Sequence, residues 1–163
     1  QYYILRTAWL YGFDGKNFVY TMTNLMNSKE EIKVVNDQKG SPTCAVDLAE
    51  VVLKFIQKSE KAKSFFGKNS APSYGIYHFT NEGETTWFDF AQEINKLGVK
   101  HQKINNNCKV QPCTSAEFAA KVERPTYSVL DKTKIAKEFK MKIPAWEVSL
   151  EKFIKSNRFN SNR

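Results

Sequence analysis

The sequence predicts an α/β fold. Strand-like and helix-like segments alternate along its 163 residues, which is the pattern typical of α/β proteins. Apolar residues make up 41% of the chain and aromatic residues 13%, enough to form a substantial core. No internal repeat or low-complexity segment interrupts the alternation, so we expect one folded unit.

The first elements are predicted as a strand, a helix and a second strand. Residues 2–11 are rich in aromatic and branched side chains and end at Gly12, so they predict one buried strand. Apolar residues recur at three- and four-residue spacing from Asn17 to Ser28, which predicts a helix. A short strand is expected at 32–35.

A loop, a helix and another strand follow. Gly and Pro punctuate residues 37–43, which are predicted as a loop. A helix is expected over 45–58. Its predicted buried side consists of Val46, Ala49, Val52, Leu53 and Ile56. The polar stretch 60–73 predicts a surface loop, and the aromatic alternation at 75–80 predicts a strand.

Two capping signals mark the next helices. Thr86 is suited to cap an amphipathic helix, which Gly98 is predicted to end. A short strand is expected at 109–111. Thr114 and Glu117 have the spacing of a capping box, which predicts the start of a short helix.

The last part of the chain is organised by two prolines and an aspartate. Pro125 constrains itself and its neighbour, so residues 124–128 are predicted to be extended. Asp131 is predicted to cap a helix. Pro144 is predicted to begin the final helix.

The charge of the chain is distributed along its predicted helices. A formal net charge of +8 would suit a polyanionic partner. However, lysines and glutamates alternate, as at 58–61, which is typical of a solvated helix face. We therefore expect no nucleic-acid partner.

Cysteine usage and hydropathy bear on the cellular location. The three cysteines are an odd number without metal-ligand spacing, which predicts a reduced protein with no metal site. No apolar run is as long as a membrane span, and no signal-like segment opens the sequence. We expect a soluble, cytoplasmic protein without a membrane partner.

Several motifs of complete enzymes are missing from the sequence. Gly12 and Gly15 lack the third glycine of a dinucleotide-binding loop, and Asp14 between them would repel phosphate. No tyrosine is followed four residues later by the lysine that lowers its pKa in short-chain dehydrogenases. Nucleophile-elbow, zinc-helix and Walker motifs are also missing. We predict no catalytic residue in this chain, and its start at Gln1 indicates a piece of a longer protein.

Three groups of segments carry a specific resemblance. They are 5–12 with 17–19, 35–43 with 47–49, and 75–79 with 124–131 and 143–146. In order and spacing they resemble the C-terminal half of dTDP-4-dehydrorhamnose reductases, members of the extended short-chain dehydrogenase/reductase superfamily. The resemblance implies the C-terminal portion of a Rossmann-type fold with a small mixed α/β substrate-binding domain. It also implies that residues 1–28 complete the Rossmann-type sheet and its following helix, and that 29–163 are mainly substrate-binding.

The resemblance also implies an activity for the whole protein. Such an enzyme transfers hydride from NADPH or NADH to the 4-keto group of dTDP-4-dehydro-β-L-rhamnose and yields dTDP-L-rhamnose. The missing N-terminal part would bind most of the cofactor, with Thr7 and Ala8 of this chain facing the nicotinamide. The chain alone would be inactive, and its unpaired first strand would allow a homodimer. The alternative is a noncatalytic nucleotide-sugar-binding or regulatory relative.

Six residues form the predicted substrate pocket. They are Trp9, Gln38, Gly40, Ser41, Thr43 and Arg124. The resemblance implies that Trp9 packs against the deoxysugar, although a tryptophan judged by its residue type alone is more often part of the core. Arg124 would pair with the diphosphate or else bridge to Glu123. The residues from 38 to 43 offer close backbone approach and hydrogen bonds, or simply form a turn before a helix.

Overall fold

The computed structural model describes residues 1–63, 71–118 and 122–160. The strands in these ranges are β1 Tyr3–Arg6, β2 Leu10–Tyr11, β3 Glu31–Val35, β4 Lys39–Gly40, β5 Thr43–Cys44, β6 Gly75–His78, β7 Thr85–Thr86 and β8 Lys109–Cys113. The helices are α1 Phe18–Ser28, α2 Ala45–Lys63, α3 Trp87–Lys100, α4 Ser115–Phe118, α5 Thr133–Phe139 and α6 Trp146–Lys155.

The strands lie in four pairs. β1 pairs with β6, β2 with β5 and β3 with β8, each in parallel, whereas β4 and β7 are antiparallel. Parallel strands joined through helices confirm the predicted α/β class. The loop predicted at 60–73 begins instead inside α2, and residues 64–70 lie outside the described part of the chain. Within the described ranges, no helix is both long and apolar enough to cross a membrane.

The single strand predicted over 2–11 is wrong, because the structure has two strands there. β1 ends at Arg6, β2 begins at Leu10, and Trp9 between them has a left-handed φ of 48°. The break sends β1 to β6 and β2 to β5. Aromatic and branched residues satisfy a strand pattern on both sides of the break, so the pattern does not reveal one left-handed residue.

Helix α2 buries a different face from the predicted one. Leu48, Val51 and Phe55 pack inside the molecule. The predicted inner residues are exposed instead, with Val46 and Val52 at 42%, Ile56 at 52% and Leu53 at 54%, and Ala49 is exposed too. Apolar residues occupy both faces of this helix, so their periodicity could not distinguish the face that this chain covers.

The core consists of two hydrophobic clusters. The larger one joins α1, β3, α3 and α6, with Met26, Ile94 and Leu150 fully buried. The smaller one joins α2, β6 and α5, with Val51 and Ile135 at its centre. The larger cluster contains residues from both sides of the predicted domain boundary at residue 28. That boundary stays a prediction.

Two capping predictions are confirmed. The Thr86 hydroxyl accepts the backbone N–H of Asp89 at 3.1 Å at the start of α3. At α4, Glu117 accepts the N–H of Thr114 at 2.7 Å, and the Thr114 hydroxyl accepts the N–H of Glu117 at 3.2 Å. These reciprocal bonds satisfy amides that a helix start leaves without intrahelical partners.

Two predicted helix ends are wrong. α3 continues two residues beyond Gly98, whose missing side chain permits close packing, since a Cβ there would lie 2.5 Å from Cδ1 of Ile104. α6 begins two residues after Pro144, whose carbonyl instead accepts the N–H of Glu82 at 2.8 Å. Both residues serve tertiary contacts that a local pattern does not contain.

Helices α2 and α5 are joined by an ion pair. Lys58 Nζ lies 2.6 Å from Glu138 Oε1, and their side chains are 32% and 17% exposed. The Lys58 ammonium holds the pKa of Glu138 below its usual range. At the other end of α5 the N-cap is Lys132, so the prediction that Asp131 caps this helix is wrong by one residue, although Asp131 accepts the N–H of Thr133 at 2.8 Å.

Replacing Glu138 with Gln is expected to lower the free energy of unfolding by about 1 kcal/mol at pH 7. Because the folded-state pKa of Glu138 is lowered, the contribution is present above the unfolded-state pKa and is lost as the pH falls through the folded-state value. Urea unfolding between pH 7 and pH 3 measures the difference. Glu30→Gln, at an exposed position, is the control; a difference independent of pH would contradict the assignment.

Candidate functional site

A cleft opens where four separate segments meet, after β1, beside β4, at the start of α3 and along residues 124–128. Its first cavity has a volume of about 250 Å³. The cavity is lined by Ala8, Trp9, Gln38, Trp87, Arg124, Pro125 and Ser128. The structure therefore brings together residues that are distant in sequence.

A second cavity of about 270 Å³ adjoins the first and shares Gln38, Trp87 and Arg124 with it. It extends between α1 and β3. Its other lining residues are Phe18, Thr21, Met22, Lys33, Val34, Val35, Ser115 and Phe118. The walls are mostly apolar, while Lys33 and Arg124 provide positive charge. The two cavities form one cleft with Arg124 at their junction.

Trp9 is half-buried and stacks on Trp87. Their ring centroids are 3.6 Å apart and their planes differ by 12°. Gly40 also lies against the indole, since a Cβ at this position would be 2.5 Å from Cε2 of Trp9. One face of Trp9 is therefore covered by Trp87, and only the remaining indole surface is open to the cleft.

Thr43 anchors the turn that follows β1. It is fully buried, and its hydroxyl donates to the Ala8 carbonyl at 2.7 Å and accepts from the Thr7 hydroxyl at 3.1 Å. Its backbone N–H donates to the Trp9 carbonyl at 3.1 Å. Thr43 thus supports the cleft from behind and does not belong to the lining of either cavity.

Gln38 and Ser41 point in different directions. Gln38 lines both cavities, and its Nε2 donates to the Ser115 hydroxyl at 2.8 Å. Ser115 is held in turn by Asp37, which accepts its hydroxyl at 2.6 Å, and this bond lowers the pKa of Asp37. Ser41 is fully buried and donates to the Gly83 carbonyl at 2.7 Å. Gln38 therefore faces the cleft, and Ser41 ties two loops together.

Arg124 is positioned by the backbone of its own segment. The Lys39 N–H donates to the Thr126 carbonyl at 2.8 Å, and the Ser128 N–H donates to the Lys39 carbonyl at 2.9 Å. These bonds attach the segment to β4 and leave the Arg124 side chain at the junction of the cavities. Within residues 1–63, 71–118 and 122–160, no carboxylate, that of Glu123 included, pairs with the guanidinium.

A buried polar network supports the cleft from the far side. Asp47, in the first turn of α2, accepts the Asn81 amide and the Ser149 hydroxyl, each at 2.5 Å. The side-chain Oδ1 of Asn81 accepts the N–H of Cys44 at 2.8 Å. The network joins α2, α6 and β5, so Asp47 has a structural role.

The family model for the RmlD substrate binding domain matches residues 1–159. The chain belongs to this family. The dTDP-4-dehydrorhamnose reductase of Aggregatibacter actinomycetemcomitans is 36% identical over 148 residues, which are 91% of this chain and 48% of that relative. The chain spans about half the length of the curated relatives it matches.

Solved structures of dTDP-4-dehydrorhamnose reductases share the fold. The Bacillus anthracis enzyme in complex with NADP is 38% identical with a TM-score of 0.78. The Clostridium acetobutylicum protein is 44% identical with a TM-score of 0.77. Each match covers 94% of this chain and 48% of the other chain. The resemblance seen in the sequence and the predicted fold class are therefore confirmed.

The predicted site residues of this RmlD-type domain fall into two groups. Ala8, Trp9, Gln38 and Arg124 line the cleft. The others support it from behind, namely Thr7, Gly40, Ser41 and Thr43. The binding roles of all eight stay predictions.

Trp87 and Ser115 are two of the lining residues that the sequence did not indicate as part of the site. Trp87 is the first residue of α3, directly after the cap Thr86, and the sequence pattern indicates only that it belongs to an amphipathic helix. Ser115 lies between the capping-box residues Thr114 and Glu117. The capping signals located both helix starts, but not what lay opposite them.

Gly40→Ala is expected to destabilise the folded chain by about 1–3 kcal/mol, because its Cβ would overlap the Trp9 indole. In a Trp9→Leu background the indole is gone, and the same substitution is expected to cost about 0.5 kcal/mol or less. Urea unfolding of the four chains of this double-mutant cycle measures both values. Equal costs in the two backgrounds would refute the contact.

Proposed function

We propose that this chain is the substrate-binding part of a dTDP-4-dehydrorhamnose reductase. That enzyme reduces the 4-keto group of dTDP-4-dehydro-β-L-rhamnose to give dTDP-L-rhamnose, with NADPH or NADH as reductant. The observation that carries the proposal is the cleft in which Trp9, Gln38 and Arg124 meet. The names of the similar proteins from Aggregatibacter actinomycetemcomitans and Bacillus anthracis support the substrate class.

The arrangement of charge in the cleft suits a nucleotide sugar. Arg124 lies at the junction of the two cavities, and a guanidinium can pair with a diphosphate through two parallel hydrogen bonds. The diphosphate is the middle of a nucleotide sugar, so the base and the sugar would extend to opposite sides. The apolar cavity beside Phe18 and Phe118 suits a pyrimidine, and the cavity beside Ala8 suits the deoxysugar.

The residues after β1 fit only the nicotinamide end of a dinucleotide. Thr7 and Ala8 follow the carboxyl end of a parallel strand, where open α/β sheets bind their ligands. The small Ala8 side chain lines the sugar cavity. The pyrophosphate requires a glycine-rich loop, which this sequence does not contain. When bound, NADPH or NADH would supply hydride, while this chain binds and orients the sugar.

Exposed apolar surface supports a packing site for the other half of such an enzyme. The outer stripe of α2, formed by Val46, Ala49, Val52, Leu53 and Ile56, is exposed along the helix. Ile4 and Ile76 are register partners on β1 and β6 and are 45% and 38% exposed. A helix that is apolar on both faces is normally covered on both. A homodimer through the same surface stays a prediction, as does the cytoplasmic location.

Arg124→Ala is expected to weaken the affinity of the chain for dTDP by about tenfold, since a charge-assisted contact to phosphate is lost. Isothermal titration with dTDP measures the affinity. Arg158→Ala removes an equal charge near Asp14, away from the cleft, and should leave the affinity unchanged. Equal affinities for the wild-type chain and Arg124→Ala would contradict the assigned phosphate site.

A chimera tests the activity and the packing surface. Residues 1–159 replace the matching part of the Bacillus anthracis reductase, and NADPH oxidation with dTDP-4-dehydrorhamnose is followed. We expect turnover by the chimera and none by the isolated chain. Ile56→Glu places a charge in the outer stripe of α2 and should reduce soluble, active chimera at least tenfold, since burying a lone carboxylate is unfavourable.

The neighbouring substitution Gln57→Glu adds the same charge at an exposed polar position of α2 and should leave the chimera active. Turnover by the isolated chain would contradict the proposal that it binds the substrate and needs the other half of the enzyme for catalysis. Full activity of the Ile56→Glu chimera would show that the outer stripe of α2 stays exposed to solvent, and would contradict the proposed packing surface.

A further inference from the structure

We infer that Trp87 positions Trp9 in the cleft. Trp9 has a φ of 48°, a backbone conformation that is unfavourable for a side chain of this size. Such a conformation persists only where neighbouring groups hold it. Thr43 holds the backbone through the Ala8 and Trp9 carbonyls. These bonds do not fix the indole, which needs a support of its own.

The contact that fixes the indole is the stack on Trp87. The two ring centroids are 3.6 Å apart with nearly parallel planes, which is van der Waals contact over much of one face. Gly40 lies against the same indole and has no side chain to displace it. Trp9 therefore has little freedom to rotate while Trp87 is in place.

Trp87 is itself held from both sides. It is the first residue of α3, directly after the cap Thr86, which pairs with Lys39 in the antiparallel β4–β7 ladder. Phe18 packs on its ring with centroids 4.6 Å apart, and Phe18 stacks in turn on the buried Phe90 at 5.5 Å. A line of aromatic contacts thus runs from the core to the cleft wall.

The position of Trp87 gives this contact a consequence for binding. Trp87 belongs to the wall of both cavities, and it determines which indole surface of Trp9 remains open to a ligand. On the proposed function, that surface meets the deoxysugar of a nucleotide sugar. Trp87 then acts through Trp9, as a positioning residue.

A test that needs no ligand is the nuclear Overhauser effect between the Gly40 α-protons and the Trp9 indole protons. We expect the effect in the wild-type chain and its loss in Trp87→Leu, which removes the ring. Trp87→Phe keeps an aromatic face and should restore it. Trp146→Phe alters the third tryptophan, which packs on Phe90, and should leave it unchanged. Trp87→Met replaces Trp87→Leu if the latter does not fold.

An unchanged effect in Trp87→Leu or Trp87→Met, with the amide spectrum of a folded chain, would overturn the inference. A second measurement is the affinity for dTDP-L-rhamnose, which we expect to fall about fivefold in Trp87→Leu and to recover in Trp87→Phe. Loss of the Overhauser effect with unchanged affinity would overturn the role in binding. Failure of the wild-type chain to bind dTDP-L-rhamnose would instead count against the proposed function.

Discussion

The break between β1 and β2 at Trp9 is the constraint on which the cleft depends. If residues 3–11 formed one straight strand, β2 would continue in the sheet of β1 and β6 and could not pair with β5. The left-handed residue turns the chain toward the larger cluster instead. An L-residue with a large side chain resists this conformation, so its surroundings must hold it there. The buried Thr43 does so by bonding the carbonyls on both sides of the turn.

The same turn explains why residues from distant segments share one site. It brings the carboxyl end of β1 next to β4, and β4 is bonded to the segment that contains Arg124. The segments are attached mainly by backbone groups and by a buried hydroxyl. Among the lining side chains, Gln38 and the hydroxyls of Thr21, Ser115 and Ser128 are bonded to the scaffold. This arrangement lets Trp9 and Arg124 face the cleft without weakening the fold.

Local signals in the sequence predicted local structure well. The caps at Thr86 and Thr114 were found because a helix start needs partners for its free amides, and both side chains lie within three residues of those amides. Of the eight residues that the family resemblance indicated, four line one cavity, namely Ala8, Trp9, Gln38 and Arg124. The Trp9–Trp87 stack could not be found, because it depends on a single left-handed dihedral angle and on how β4 meets β7. Nor could the sequence show that Ser41 and Thr43 face inward, since a hydroxyl suits a ligand and a backbone carbonyl equally.

The error in α2 has a different origin and is informative about the molecule. The periodic apolar residues do form a face, and they would be buried in a protein that covered it. This chain covers instead the face formed by Leu48, Val51 and Phe55. A helix with two apolar faces is normally packed on both of them. In the described structure only one of these faces of α2 is packed. The outer stripe of α2 and the pair Ile4 and Ile76 are both apolar and exposed. Both observations have the same explanation, a surface that this chain does not cover. On the proposed function, this second apolar face would pack against the remainder of the reductase.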